Sequence, residues 1–191
     1  MIISLTGFMG CGKSSVGKEL SALLSCSYAD LDTIIEKAAG RSIPEIFANE
    51  GEPVFRQMEL EALRRVLADS EMDNTVSDLP SDTSMILALG GGAVMTPECA
   101  GLVHEKTLCV YLRTSIETIA GRLAAKGEAE GRPMLKSGSG IAELMDCRKS
   151  TYESTAHMIV DTDGKSISEV AEEIAEYCVR LRSSHPFRAC P

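Results

Sequence analysis

Near the N-terminus the chain reads Gly7-Phe8-Met9-Gly10-Cys11-Gly12-Lys13-Ser14, which has the form Gly-x-x-x-x-Gly-Lys-Ser, followed by Ser15. This pattern suits a polyphosphate. Glycines let successive backbone N–H groups approach phosphate oxygens closely, and a helix starting at the lysine adds unpaired donors and the positive end of its dipole. Lys13 can reach the β- and γ-phosphates, and the Ser14 hydroxyl can ligate Mg²⁺. A second chemical pair is Asp30-Leu31-Asp32. Two carboxylates at this spacing suit a metal-bound water and an acceptor hydroxyl, but a helix N-cap followed by a solvated Asp reads equally well. Other candidates are the triple glycine Gly90-Gly91-Gly92, Arg56, Arg132 and Arg148. Taken alone, the glycines read as a close backbone approach to a ligand or as a plain flexible turn. Arg56 shares a helical turn with Glu59 and, by itself, reads as a surface ion pair of little energetic value.

These residues need elements to hold them. Ile2–Thr6 is a short β-branched apolar run, and Val16, Leu20, Leu23 and Leu24 follow at helical spacing, so the phosphate loop has its strand before it and its helix after it. Strands are also expected at Cys26–Ala29, Met85–Leu89, Leu108–Leu112 and His157–Val160. Helices are expected at Thr33–Ala39, ended by Gly40, in a short piece around Ile43–Phe47, at Glu52–Ala68 with Phe55, Leu60, Leu63 and Leu67 inward, from Pro97, at Ile116–Ala125, at Ile141–Thr155 and after Gly164, where Ile167, Val170, Ile174, Cys178 and Leu181 form one face. The alternation predicts an α/β fold: a five-stranded parallel sheet with helices on both faces, in one domain over residues 1–183. Three segments fall outside that regularity. Asp69–Ser84 reads as an acidic surface loop, and residues 184–191 as a disordered tail. Residues 126–140, rich in glycine and charge around Arg132-Pro133-Met134-Leu135, read as a mobile lid or an idle loop, with Gly127, Gly131 and Gly138 as points of flexure.

Composition narrows the partners. The 191 residues carry a formal net charge of −9, which argues against a nucleic-acid surface and makes each arginine near the phosphate loop notable as a local receiver of anions. No run approaches membrane-spanning length, and no targeting segment precedes the first strand. The seven cysteines include no Cys-x-x-Cys pair and read as reduced thiols, so a cytoplasmic protein is expected.

From Ile2 to about Val160 the chain resembles the shikimate kinases. The resemblance rests on the phosphate loop with Ser15, Asp30-Leu-Asp32, Gly40-Arg-Ser-Ile with Ile46-Phe47 and Phe55-Arg56, the triple glycine, Arg132-Pro-Met-Leu, and Arg148 with Tyr152. It implies a three-layer P-loop kinase fold and transfer of the γ-phosphoryl group of ATP to the 3-hydroxyl of shikimate, with Mg²⁺. Gly10, Cys11, Gly12, Lys13, Ser14 and Ser15 would hold ATP, with Ser14 and Asp30 at the metal. Asp32 would bind the acceptor hydroxyl and take its proton. Arg56, Arg148 and the glycines Gly90, Gly91 and Gly92 would bind the acceptor, the arginines and the Gly91 N–H taking its carboxylate. The segment around residues 31–62 would be the acceptor-binding part. Arg132 would close onto the phosphates and Arg122 would lie by the adenine. The chain would act as a monomer on small molecules. The acidic loop and the Arg122–Arg132 spacing are longer than is usual for the family, and Met134 stands where leucine is commoner. Kinases for gluconate or nucleotides would share Lys13 but not need Arg56, the triple glycine and Arg148 together. A GTP switch is disfavoured because Asp161-x-x-Gly164 comes too late and no Asn-Lys-x-Asp occurs. A nucleotide-binding module without catalysis is disfavoured because every expected catalytic position is filled.

Overall fold

The computed structural model describes residues 1–72, 83, 85–125 and 140–184. Five strands, β1 (Ile2–Thr6), β2 (Ser27–Asp30), β3 (Met85–Ala88), β4 (Leu108–Arg113) and β5 (Met158–Asp161), form one sheet in the order β2-β3-β1-β4-β5. Every pairing is parallel. Among the described residues the helices are α1 (Lys13–Leu23), α2 (Leu31–Ala39), α3 (Ile43–Asn49), α4 (Gly51–Met72), α5 (Pro97–Lys106), α6 (Ile116–Ala125), α7 (Ile141–Thr155) and α8 (Ile167–Ser184). The expected five-stranded parallel sheet with helices on both faces is therefore what the chain forms.

The central strands are apolar on both sides because both faces are covered. Ile2, Leu87, Cys109 and Tyr111 point into a core shared with Leu31, Ile35, Ile46, Phe55, Leu63 and Tyr152. Their neighbours Ile3, Leu5, Ile86, Val110 and Leu112 point into the opposite core with Val16, Leu20, Val170, Ile174 and Cys178. The period-two alternation of side chains thus divides one sheet between two cores.

Several boundaries differ from the sequence reading, each for a local reason. The helix expected from Thr33 begins at Leu31, because the Asp30 carboxylate accepts the Thr33 N–H and caps it (3.4 Å). Asp32 therefore lies in the first helical turn, not at a strand end. Cys26 precedes β2, and β5 begins one residue after His157. α4 continues to Met72, so the acidic loop begins later than Asp69. α8 includes Ser184. A 3₁₀ turn at Ala93–Met95, absent from the sequence reading, follows the triple glycine. Leu23 and Ile167, expected inward, are exposed. Apart from Thr83, residues 73–84 of the acidic loop, residues 126–139 of the lid with Arg132, and residues 185–191 lie outside the described residues. No helix among the described residues is long and apolar enough to cross a membrane.

Candidate active site

The C-terminal ends of β1, β2 and β3 meet at a cleft of about 560 Å³, on the side of a parallel sheet where ligands bind. Its lining includes Gly10, Cys11, Gly12, Lys13, Ser14, Ser15, Asp30, Asp32, Gly91 and Arg122. The phosphate loop leaves β1 through Gly7, where a Cβ would lie 2.8 Å from the Leu112 carbonyl oxygen, and enters α1 through Gly12, at φ +108°. Only glycine takes these two positions without strain. No side chain caps α1 and no acidic residue stands in its first turn, so its leading N–H donors are left for an anion.

The Lys13 ammonium donates to the carbonyls of Gly7 (2.8 Å) and Phe8 (3.1 Å) and lies 3.8 Å from Cys11 Sγ. Arg122 donates to the Cys11 carbonyl (3.1 Å) and the Gly10 carbonyl (3.4 Å). Both cations rest on loop carbonyls at the wall of the cleft. Cys11 is buried, its side chain packed into the core beneath the loop.

Asp30 and Ser14 face each other at the mouth of α1, with the Ser14 hydroxyl donating to Asp30 Oδ2 at 3.0 Å. Two hard oxygen donors this close fit Mg²⁺. Asp32, in the first turn of α2, is half-buried. Burial first, and the charge of Asp30 second, push its carboxyl above the usual carboxylate range, against the opposing pull of Lys13 and Arg56. A base raised in this way holds a proton more firmly, as a general base for a hydroxyl requires.

Beside the phosphate loop lies a second group, built from charges that hold one another. Arg56, half-buried on α4, donates to Glu59 Oε2 (2.7 Å) and Glu52 Oε1 (3.0 Å). Glu59 is fully buried, and its Oε1 has no hydrogen-bond partner among the described residues. The surface pair that the i, i+3 spacing suggested is thus a pair with one partner in the core. Burial pushes the Glu59 carboxyl up while Arg56 opposes it. The thiol of buried Cys99 is pushed up to about 11, by burial and then by the charge of Glu59.

The triple glycine makes room for these groups. A Cβ on Gly90 would lie 2.7 Å from Asp32 Oδ1 and 2.9 Å from Glu59 Oε1, and one on Gly92 would lie 2.5 Å from an Arg56 nitrogen. None of the three needs a left-handed backbone. The close approach is therefore to side chains from α2 and α4. Gly91 is fixed from the other side. Arg148 Nη1 donates to its carbonyl (3.2 Å), Tyr152 Oη does the same, and the Arg148 guanidinium lies over the Phe8 ring. Arg148 is 5% exposed.

Asp32, Arg56, Gly90–Gly92 and Arg148 are thus brought together beside the phosphate loop. The sequence reading missed Glu59 as the anchor of Arg56. It also missed Thr162, Lys165, Ser166 and Ile167, which line the cleft beyond Arg122. Their signal was available: they follow a strand's C-terminal end in a parallel sheet.

A parallel sheet with a phosphate loop at its central strand and buried cations facing it defines the class, a P-loop small-molecule kinase. The comparisons define the family. The shikimate kinase family model matches residues 9–179. The shikimate kinase of Geobacter sulfurreducens is 42% identical over 178 residues, covering 92% of this chain and 89% of its own. That of Thermus thermophilus is 40% identical, covering 91% and 88%. Among solved structures, shikimate kinase from Acinetobacter baumannii in complex with shikimate superposes with a TM-score of 0.81 at 28% identity, covering 95% of this chain and 94% of that one. The chain belongs to the shikimate kinase family, and is an ATP-dependent kinase.

Proposed function

We propose that this chain phosphorylates the 3-hydroxyl of shikimate at the expense of ATP through the residues gathered in the cleft. The observation that carries the reading is the convergence of two arginines from distant helices, Arg56 and Arg148, on the glycine turn beside the phosphate loop and Asp32. In a chain of net charge −9, a carboxylate acceptor needs such dedicated cations.

The N–H groups of Gly10–Ser15 receive the ATP phosphates, and Lys13 leaves its loop carbonyls for the β- and γ-phosphates. Ser14 and Asp30 hold Mg²⁺, directly or through water; the ion, when bound, supplies positive charge to the phosphates. Arg122, in the same lining as Lys165 and Ile167, borders the base. Arg132 reaches the transferring group from the lid. Arg56 and Arg148 pair with the acceptor carboxylate, assisted by the Gly91 N–H, and Glu59 fixes the Arg56 fork. Asp32 orients the acceptor hydroxyl and takes its proton as the phosphoryl group arrives.

The test is an ADP-release assay with ATP and Mg²⁺ across shikimate, quinate, gluconate and nucleoside monophosphates. Turnover on shikimate is expected. Turnover on gluconate and not on shikimate would overturn the reading.

A further inference from the structure

Tyr28 has no part in the reaction as set out above, yet its hydroxyl reaches the metal side of the cleft. Tyr28 lies on the edge strand β2, and its ring packs against α1 at Gly17, where an added Cβ would stand 2.6 Å from ring atom Cε2 and 3.3 Å from Leu5 Cδ1. The Lys18 ammonium lies 6.0 Å from the ring centroid. The ring is thus held in a slot that a larger residue at position 17 would close. From that slot the phenol donates to Asp30 Oδ2 at 3.2 Å, the same oxygen that accepts from Ser14 (3.0 Å), while Asp30 Oδ1 takes the Thr33 N–H (3.4 Å). Three donors from three segments orient one carboxylate.

The three are not equivalent. The Thr33 bond caps α2 and fixes the carboxylate as a whole. The Ser14 hydroxyl would offer a lone pair to Mg²⁺ while still donating to Asp30, so the support it gives Asp30 would shift with the ion. Tyr28 lies outside the lining of the cleft and keeps its bond. A phenylalanine would fill the same slot, so the hydroxyl adds nothing to the packing; its partners are the Asp30 carboxylate and, beside it, the Ser14 hydroxyl. We infer that Tyr28 is a positioning residue for the divalent-cation site: its hydroxyl holds Asp30 in the orientation the ion needs, by way of a ring seated on Gly17. This rests on the assignment of Ser14 and Asp30 to Mg²⁺ given above.

The experiment is a Mg²⁺ titration of ADP binding by calorimetry, on wild type and Tyr28→Phe, with a metal-free arm containing a chelator and a thermal melt of each free protein. Outer-shell partners are typically worth 10–100-fold in metal affinity. For a single neutral donor the low end is expected: about 10-fold more Mg²⁺ for half-maximal enhancement in Tyr28→Phe. Metal-free ADP binding and the melting temperature should be unchanged, and the KM for the acceptor should stay at its wild-type value in kinetic assays. An unchanged Mg²⁺ requirement in Tyr28→Phe would overturn the inference and leave the metal site standing. Equal weakening with and without Mg²⁺, or a lower melting temperature that accounts for the loss, would overturn it too, because the hydroxyl would then serve the fold. Wild type binding ADP with no response to Mg²⁺ would overturn the metal assignment itself, and this inference with it.

Discussion

The half of the site proposed for the nucleotide comes from one unbroken stretch, residues 7–15, while the half proposed for the acceptor comes from α2 and the turn after β3 at the cleft and from α4 and α7 beside it. The first half works mainly through backbone. Its glycines set the loop, its helix end is left uncapped, and its side-chain charge, Lys13, rests on carbonyls of the loop itself. The second half works through buried charge. Arg56 depends on Glu59, Glu59 is enclosed by the core, and Arg148 and Tyr152 together hold the carbonyl of Gly91. In the first half the fold presents a ligand site but does not depend on it. In the second, the groups that would read the acceptor are also part of what the core encloses. Removing a function should therefore have different side effects in the two halves.

The largest expected effect tests the first half. Lys13→Ala should lower kcat by at least 10²–10³-fold, roughly the cost of losing one preorganised donor to developing charge. Its melting temperature should stay close to wild type. A large loss of stability would break the comparison, because the loop would then be part of what holds the fold.

Arg56→Ala should do both kinds of damage. Loss of a charged hydrogen bond to the acceptor carboxylate predicts a fall of about 10–100-fold in kcat/KM for the acceptor. The buried Glu59 loses its partner as well, and breaking such a pair commonly costs about 3–5 kcal/mol; with Arg56 only half-buried, roughly 2–3 kcal/mol is expected in denaturant titration. ATP binding should hardly change. Arg56→Lys should recover part of the stability and less of the activity, since an ammonium lacks the planar fork. An acceptor whose carboxylate is replaced by an amide should couple to Arg56 and to Arg148 in a double-mutant cycle, and coupling near zero for both would reopen the acceptor assignment.

A subtler substitution sharpens the contrast. Gly92→Ala places a Cβ 2.5 Å from an Arg56 nitrogen, with no backbone strain to confuse the outcome. Arg56 must move while Glu59 and Glu52 hold it. The expected result is a rise of about tenfold in acceptor KM with the ATP KM unchanged, within the up to 10²-fold range that a displacement near 1 Å can cause. Unaltered acceptor kinetics would mean the guanidinium has slack.

The smallest effect lies outside both halves and serves as their control. At the opposite ends of the strands, His157 Nδ1 accepts the Cys109 N–H (3.1 Å), and the His157 ring stacks on His104 with centroids 4.5 Å apart. Burial, then His104, hold the His157 imidazole below its ordinary pKa. The folded state thus resists a proton that the unfolded chain accepts near pH 6.5. Stability should fall as pH drops below about 6.5 and level off once the folded imidazole also titrates. The ring is largely exposed, so the step should be small. His157→Gln should flatten it in melts between pH 7.5 and 5, without changing kinetics at neutral pH.

How much of this was legible follows the same division. The phosphate loop, its flanking strand and helix, and α6 and α7 to the residue could be read from local pattern. So could the inward set Phe55, Leu60, Leu63 and Leu67 of α4. Arg56 and Glu59 could be seen to share a turn, but an i, i+3 pair on a helix has the same sequence whether water or a core lies beside it. The packing of α4 on the glycine turn and Cys99 decided that. The triple glycine was legible as a place of close approach, but what approaches is Asp32, Glu59 and Arg56, from elements distant in sequence. Asp30 was legible as either cap or metal ligand, and the fold gives it the cap while leaving its second oxygen to Ser14 and Tyr28.

The sequence by itself determined the strand–loop–helix of the phosphate site, the parallel α/β order and, through motifs spread along the chain, the family. Each of these rests on dihedral preferences and short-range periodicity carried by neighbouring residues. Only the tertiary structure decided which charges are buried, which carboxylate anchors which arginine, and why a side chain at Gly90 or Gly92 would crowd its neighbours. Those depend on the dielectric and the free space around a group, and both are set by contacts between segments tens of residues apart.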